Sequence, residues 1–113
     1  MEINILKEKN VIIIELSGEF TITNIQYYQE SVFPLFNESD KDVIVINMAN
    51  IRFIDSSGIG KLVHSLNIVK NKGKNFLLTN VSDSLLTHFK TVKLDTFFNI
   101  LSFDEIKRKY IQK

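Results

Sequence analysis

Asp55-Ser56-Ser57-Gly58-Ile59-Gly60 sets two hydroxyls and two glycines where an apolar stretch hands over to a helix, and its flanks decide the fold. On the N-terminal side, Val43-Ile44-Val45-Ile46 is a β-branched run bounded by Lys41, Asp42 and Asn47. That is the pattern of a strand covered on both faces, and hence of a parallel sheet. On the C-terminal side, Ile59, Leu62, Val63, Leu66 and Val69 recur at helical spacing, while Lys61, His64, Ser65, Asn67 and Lys70 fall elsewhere. The spacing predicts an amphipathic helix with Ser56 at its N-terminal end. It stops near Asn71-Lys72-Gly73, where cations occupy the last turn and a glycine is available for a left-handed cap.

A helix start exposes unpaired N–H groups and the positive end of the macrodipole. A serine there can cap the helix, and a phosphate placed on it is electrostatically tolerated. Gly58 and Gly60 clear side chains from the same surface. Each costs about 1 kcal/mol relative to alanine inside a helix, so a compensating need is expected, such as a partner docking close to the backbone. These are also the residues that turns use, and the residues alone leave both readings open.

Working outward, Ile3-Asn4-Ile5-Leu6-Lys7 and Val11-Ile12-Ile13-Ile14-Glu15-Leu16 read as two strands joined through Glu8-Lys9-Asn10, with Gly18 ending the second. Thr23 or Asn24 can cap a helix through Ile25, Tyr28, Val32, Leu35 and Phe36, with Pro34 marking a kink or early end. Beyond the serine helix, Phe76-Leu77-Leu78-Thr79 is a strand. Ser82 or Asp83 caps a short helix bearing Leu85, Leu86 and Phe89, and Phe97-Phe98-Asn99-Ile100-Leu101 is a last strand. Ser102 and Glu105 match a capping box for a terminal helix whose apolar positions are Ile106, Tyr110 and Ile111. The order β-β-α-β-α-β-α-β-α implies an α/β domain, a mixed sheet with helices packed against it, spanning residues 1–113 without linker or repeat.

The 113 residues are 44% hydrophobic, enough for one core burying roughly two-thirds of the unfolded surface. Without cysteine there is no disulfide framework and no thiolate chemistry. No apolar run approaches the roughly 20 residues needed to span a bilayer, and Met1-Glu2-Ile3-Asn4 does not open a signal peptide, so a cytoplasmic protein is expected. A net charge of +1, with Lys107-Arg108-Lys109 and Lys113 as the one basic cluster, reads as a solvated helix face rather than a nucleic-acid surface.

The segment Phe53-Ile54-Asp55-Ser56-Ser57-Gly58-Ile59-Gly60, preceded by an apolar strand and by Leu16-Ser17-Gly18-Glu19, resembles the STAS domain of bacterial anti-sigma factor antagonists over nearly the whole chain. The resemblance implies a partner switch. The antagonist binds an anti-sigma factor that is also a serine-protein kinase, which frees the sigma factor. The kinase phosphorylates the first serine of the pair, here Ser56, and a PP2C-type phosphatase reverses this. Asp55, Ser57, Gly58, Ile59 and Gly60, with Thr21 and Thr23 in the strand-to-helix loop, are then the partner-facing residues. Many such antagonists follow Gly-Glu with an apolar residue and an aspartate, whereas here Phe20 is followed by Thr21. The alternative is a non-switching scaffold or interaction subunit of a stress-signalling or transport complex.

Enzyme readings find no motif. The glycine-x-serine-x-glycine elbow is absent, Asp55 adjoins Ser56 too closely to orient a histidine, and Gly60-Lys61-Leu62 lacks the pattern of a phosphate-binding loop. His64 and His88 have no spaced partner for a metal, and no cofactor or small-molecule substrate is expected. The nine phenylalanines are core by default. Phe20 and Phe53, next to the motif, are the two to test for exposure as partner anchors.

Overall fold

The computed structural model describes residues 1–112; Lys113, the last member of the basic cluster, lies outside the described residues. The strands are β1 (Glu2–Glu8), β2 (Val11–Phe20), β3 (Val43–Ile54), β4 (Asn75–Thr79) and β5 (Asn99–Ile100). Between and after them come α1 (Ile25–Val32), α2 (Ser56–Asn71), α3 (Asp83–Thr91) and α4 (Phe103–Ile106). The strands lie in sequence order in one sheet, β1 antiparallel to β2 and all later neighbours parallel. The expected mixed α/β sheet is what forms.

Each face of the sheet has its own core. Ile12, Ile14, Leu16, Ile44, Ile46 and Leu78 meet Tyr28 and Val32 of α1, Ile59, Leu62 and Val69 of α2, and Leu85 and Phe89 of α3. The alternate residues Val11, Ile13, Val43, Val45 and Leu77 are covered by Ile106 and Ile111. This is why the central strands read as continuous apolar runs: both pleat directions are buried, at about 1.5–3 kcal/mol per large aliphatic side chain. Ser102 and Glu105 close the expected capping box. After Ile106 the chain widens into a π-helical turn, Lys107–Ile111, in which the Gln112 N–H donates to the Lys107 carbonyl. The wider turn keeps Ile106 and Ile111 on the sheet while Tyr110 is only half-buried.

Three expectations are corrected by backbone geometry. Gly18 does not end β2; it takes φ +100 at a bulge, and the strand continues to Phe20. The strand expected over Val43–Ile46 does not stop at Asn47: register shifts between Glu15 and Ser17 and between Gly18 and Glu19 let β3 follow β2 through the polar residues Asn47, Asn50 and Arg52, so that Ile54 pairs with Phe20. The last strand is only Asn99–Ile100, because the N–H groups of Phe97 and Phe98 are spent on the Leu94 carbonyl. Pro34 ends α1 as expected and opens a 3₁₀ turn over Phe33–Asn37.

Ser65 departs from the expected polar face of α2 and is fully buried. Its hydroxyl donates to the Lys61 carbonyl at 2.8 Å and lies 2.9 Å from the Tyr28 hydroxyl, which therefore donates to it. Tyr28 is itself fully buried, and burial raises its pKa. A buried phenol needs a partner, and the helix residue facing it is a serine for that reason.

Candidate functional site

Because β2 and β3 run parallel and end level, the loop after β2 and the helix after β3 leave the sheet at the same edge. Asp55 joins them. It is the N-cap of α2 in extended backbone conformation, and its Oδ1 accepts from the Gly58 N–H at 3.0 Å. Its Oδ2 accepts from the N–H of Ile22 at 3.1 Å, in the loop between β2 and α1. Its own N–H donates to the Phe20 carbonyl at 3.2 Å. One carboxylate thus serves both a helix start and a distant loop. The bond from Gly58 is the largest cause holding its pKa below the ordinary value of 3.8; desolvation opposes it, and the bond from Ile22 adds to the lowering.

This corrects the expectation that Ser56 caps the helix. Ser56 is the first residue of α2, exposed, and its hydroxyl bonds to no described residue. The cap moves one position back because a carboxylate in extended conformation reaches the Gly58 N–H. Ser56 is left on the helix start with its hydroxyl free among the described residues.

The glycines serve different needs. A Cβ on Gly58 would sit 2.3 Å from the Phe20 carbonyl oxygen and 2.8 Å from Ile54 Cγ1. The close approach that demands glycine here is therefore internal, the end of β2 pressed against α2, and not a partner's. Gly60 is exposed, and a Cβ placed on it would meet nothing within 4 Å. Gly58 and Ile59 are buried and support the surface from behind.

In the loop, Thr21 and Thr23 share a hydroxyl contact of 2.9 Å. Asn24 stands at the N-cap of α1 but does not cap it. Its carboxamide accepts from the Thr21 N–H at 2.9 Å and donates to the Glu19 carbonyl at 2.7 Å, so the loop is laced to the end of β2. Of the two phenylalanines to test, Phe20 is fully buried and Phe53 is 54% exposed. Sequence reasoning missed Ile22, which is 63% exposed. The available signal was one apolar residue between two threonines, outside any strand or helix period.

Other named residues stay apart from this edge's hydrogen bonds. His64 is exposed and edge-on to Phe33 at 5.1 Å, and His88 is exposed on α3. Among the described residues no cluster of three His, Cys, Asp or Glu could hold a metal, and no helix is long and apolar enough to cross a membrane. Lys107 leans over Phe103 at 5.9 Å, while Arg108 and Lys109 are exposed.

Comparison with known proteins gives this geometry a family. Residues 2–107 match the STAS domain model, so the chain belongs to the STAS domain family. It is similar to the anti-sigma-B factor antagonist of Staphylococcus epidermidis, 26% identical over 83% of this chain and 86% of that protein. Its fold is that of the anti-sigma factor antagonist SpoIIAA in its unphosphorylated form, with TM-score 0.77, 18% identity and 95% of each chain covered. A structure of the Bacillus protein in its phosphorylated form also superposes, with TM-score 0.72, 18% identity and coverage of 95% and 98%. A candidate anti-sigma factor antagonist from Thermotoga maritima aligns with TM-score 0.85 at 20% identity, over 98% of this chain and 95% of that one.

Two outcomes follow from the site. Gly58→Ala should lose about 1–3 kcal/mol or more to overpacking, whereas Gly60→Ala should gain about 0.5–1 kcal/mol of helix propensity; urea denaturation of both variants checks the pair. Because the folded pKa of Asp55 is depressed, its contribution to stability is present above the ordinary carboxylate value of 3.8 and is lost as pH falls through the lower folded value. Asp55→Asn offers one oxygen where two are used, so its melting temperature should fall at pH 7 and depend less on pH across the acid range.

Proposed function

We propose that this protein is an anti-sigma factor antagonist that works by partner switching. In its unmodified form it binds an anti-sigma factor that is also a serine-protein kinase, and the sigma factor is released. Phosphorylation of Ser56 by that kinase ends the binding, and a PP2C-type phosphatase restores it. The protein is a cytoplasmic regulator of one domain, without catalytic activity of its own. Ser56 is the phosphoacceptor, and Asp55, Ser57 and Gly60 with Thr21 and Thr23 make up the kinase-facing edge, backed by Gly58 and Ile59.

The observation that carries this reading is the free hydroxyl of Ser56 at an exposed helix start. A serine acting as the cap would have to break a hydrogen bond to be modified, and this one does not. The positive end of the α2 dipole stabilises an added phosphate by about 0.3–1 kcal/mol, so the fold should tolerate it. Relatives named anti-sigma-B factor antagonists and a fold neighbour studied in phosphorylated form support the same reading.

Phosphopeptide mapping of the protein isolated from its own cells, under growth and under stress, tests it. Phosphate on Ser56 that varies with condition is the expected result. Ser56 unmodified in every condition would replace the switch with a non-switching scaffold. Ser56→Ala should stay folded within about 0.5 kcal/mol of the parent, by calorimetry, because no cap is removed.

A further inference from the structure

The loop Thr21–Asn24 and the first turn of α2, proposed to face the kinase, carry no formal charge that is free to pair; the exposed carboxylate of Glu19 lies just before them, at the end of β2. The loop residues Thr21, Ile22, Thr23 and Asn24 are neutral, as are Ser56, Ser57, Gly58, Ile59 and Gly60. Asp55 is the one ionised group between them, and both of its oxygens are committed to the Gly58 and Ile22 N–H groups. Lys61, the next cation along α2, is held by Gln29 Oε1 at 2.7 Å and lies over the Phe33 ring.

Within this neutral edge, Ile22 is 63% exposed. A lone exposed isoleucine is ordinary on a protein surface. Here, however, the residue sits on a loop whose backbone is fixed from three directions. The Ile22 N–H is held by Asp55, the Thr21 N–H by Asn24, and Asn24 by the Glu19 carbonyl. An apolar side chain on a backbone already ordered loses little further freedom on docking, which is the property of an interface anchor.

Resting on the function proposed above, we infer that Ile22 is the specificity anchor for the kinase, inserting into an apolar pocket whose surroundings present no cluster of lysine or arginine to this loop. A basic partner face would find no counter-charge on the loop Thr21–Asn24 or the helix start and would bury its cations unpaired there. An apolar pocket meets a side chain held ready for it. Recognition at this edge is therefore by shape and apolar contact, and its strength is insensitive to salt.

The test uses the serine kinase recovered with the protein from its own cells, titrated by calorimetry from about 50 mM to about 500 mM NaCl, a range over which exposed charge pairs are largely screened. The dissociation constant of the parent protein should change by less than about threefold across that range. Ile22→Ala should weaken binding by about tenfold to a hundredfold at every salt concentration, Ile22→Leu should restore most of it, and Thr21→Asp should weaken it by placing a charge beside the pocket. Circular dichroism of each variant guards against simple unfolding. Binding that collapses with salt, is untouched by Ile22→Ala, or tightens at low salt in Thr21→Asp would overturn the inference while leaving the switch standing. Absence of binding by the parent protein at any salt would overturn the switch and this inference with it.

Discussion

The carboxylate of Asp55 is the interaction on which the candidate edge depends. With one oxygen on Gly58 and the other on Ile22, it fixes the start of α2 and the loop after β2 relative to each other. The sheet makes this possible. Parallel pairing carries β3 alongside β2 until Ile54 stands beside Phe20, so two segments far apart in sequence emerge at the carboxyl ends of adjacent strands. Open α/β sheets commonly build their sites at such ends. The Phe20 carbonyl completes the joint, accepting from the Asp55 N–H while lying so close to Gly58 that no side chain fits there.

Much of this was legible in the chain. The apolar runs at Val11–Leu16 and Val43–Ile46 announced buried strands, the α2 stripe announced a helix at Ser56, and Ser102 with Glu105 announced the terminal cap. What escaped has a common cause. Local patterns report periodicity and propensity, whereas the missed features depend on what another element brings. Bulges shifted the register so that β3 could pass through Asn47, Asn50 and Arg52. The Tyr28 phenol gave Ser65 a reason to be buried. The end of β2 gave Gly58 a steric reason to lack a side chain. Within the motif the expected division of labour was inverted: the aspartate caps, and the first serine does not.

That inversion matters for mechanism. A switch residue that also held the helix would couple modification to stability, and each phosphorylation would loosen the edge it marks. With the cap assigned to Asp55, the hydroxyl of Ser56 can gain about −1.5 to −2 charge while the hydrogen bonds that shape the surface stay in place. In the proposed switch the consequence falls on the partner. Burying that charge against a surface lacking a cation costs several kcal/mol, and each 1.4 kcal/mol is a factor of ten in affinity. If this neutral edge is the docking edge, as proposed, the contrast between the two forms is as large as one added group allows.

The central claim is that phosphate on Ser56 acts through charge at the interface and not through a change of fold. The most direct measurement is a titration of the kinase with unmodified and with fully Ser56-phosphorylated protein, with amide NMR spectra of both forms recorded alongside. The account predicts that affinity falls by at least about a hundredfold while amide shifts stay confined to the loop at Thr21–Asn24 and the first turn of α2. Equal affinity of the two forms, or shifts spread across the sheet, would contradict it.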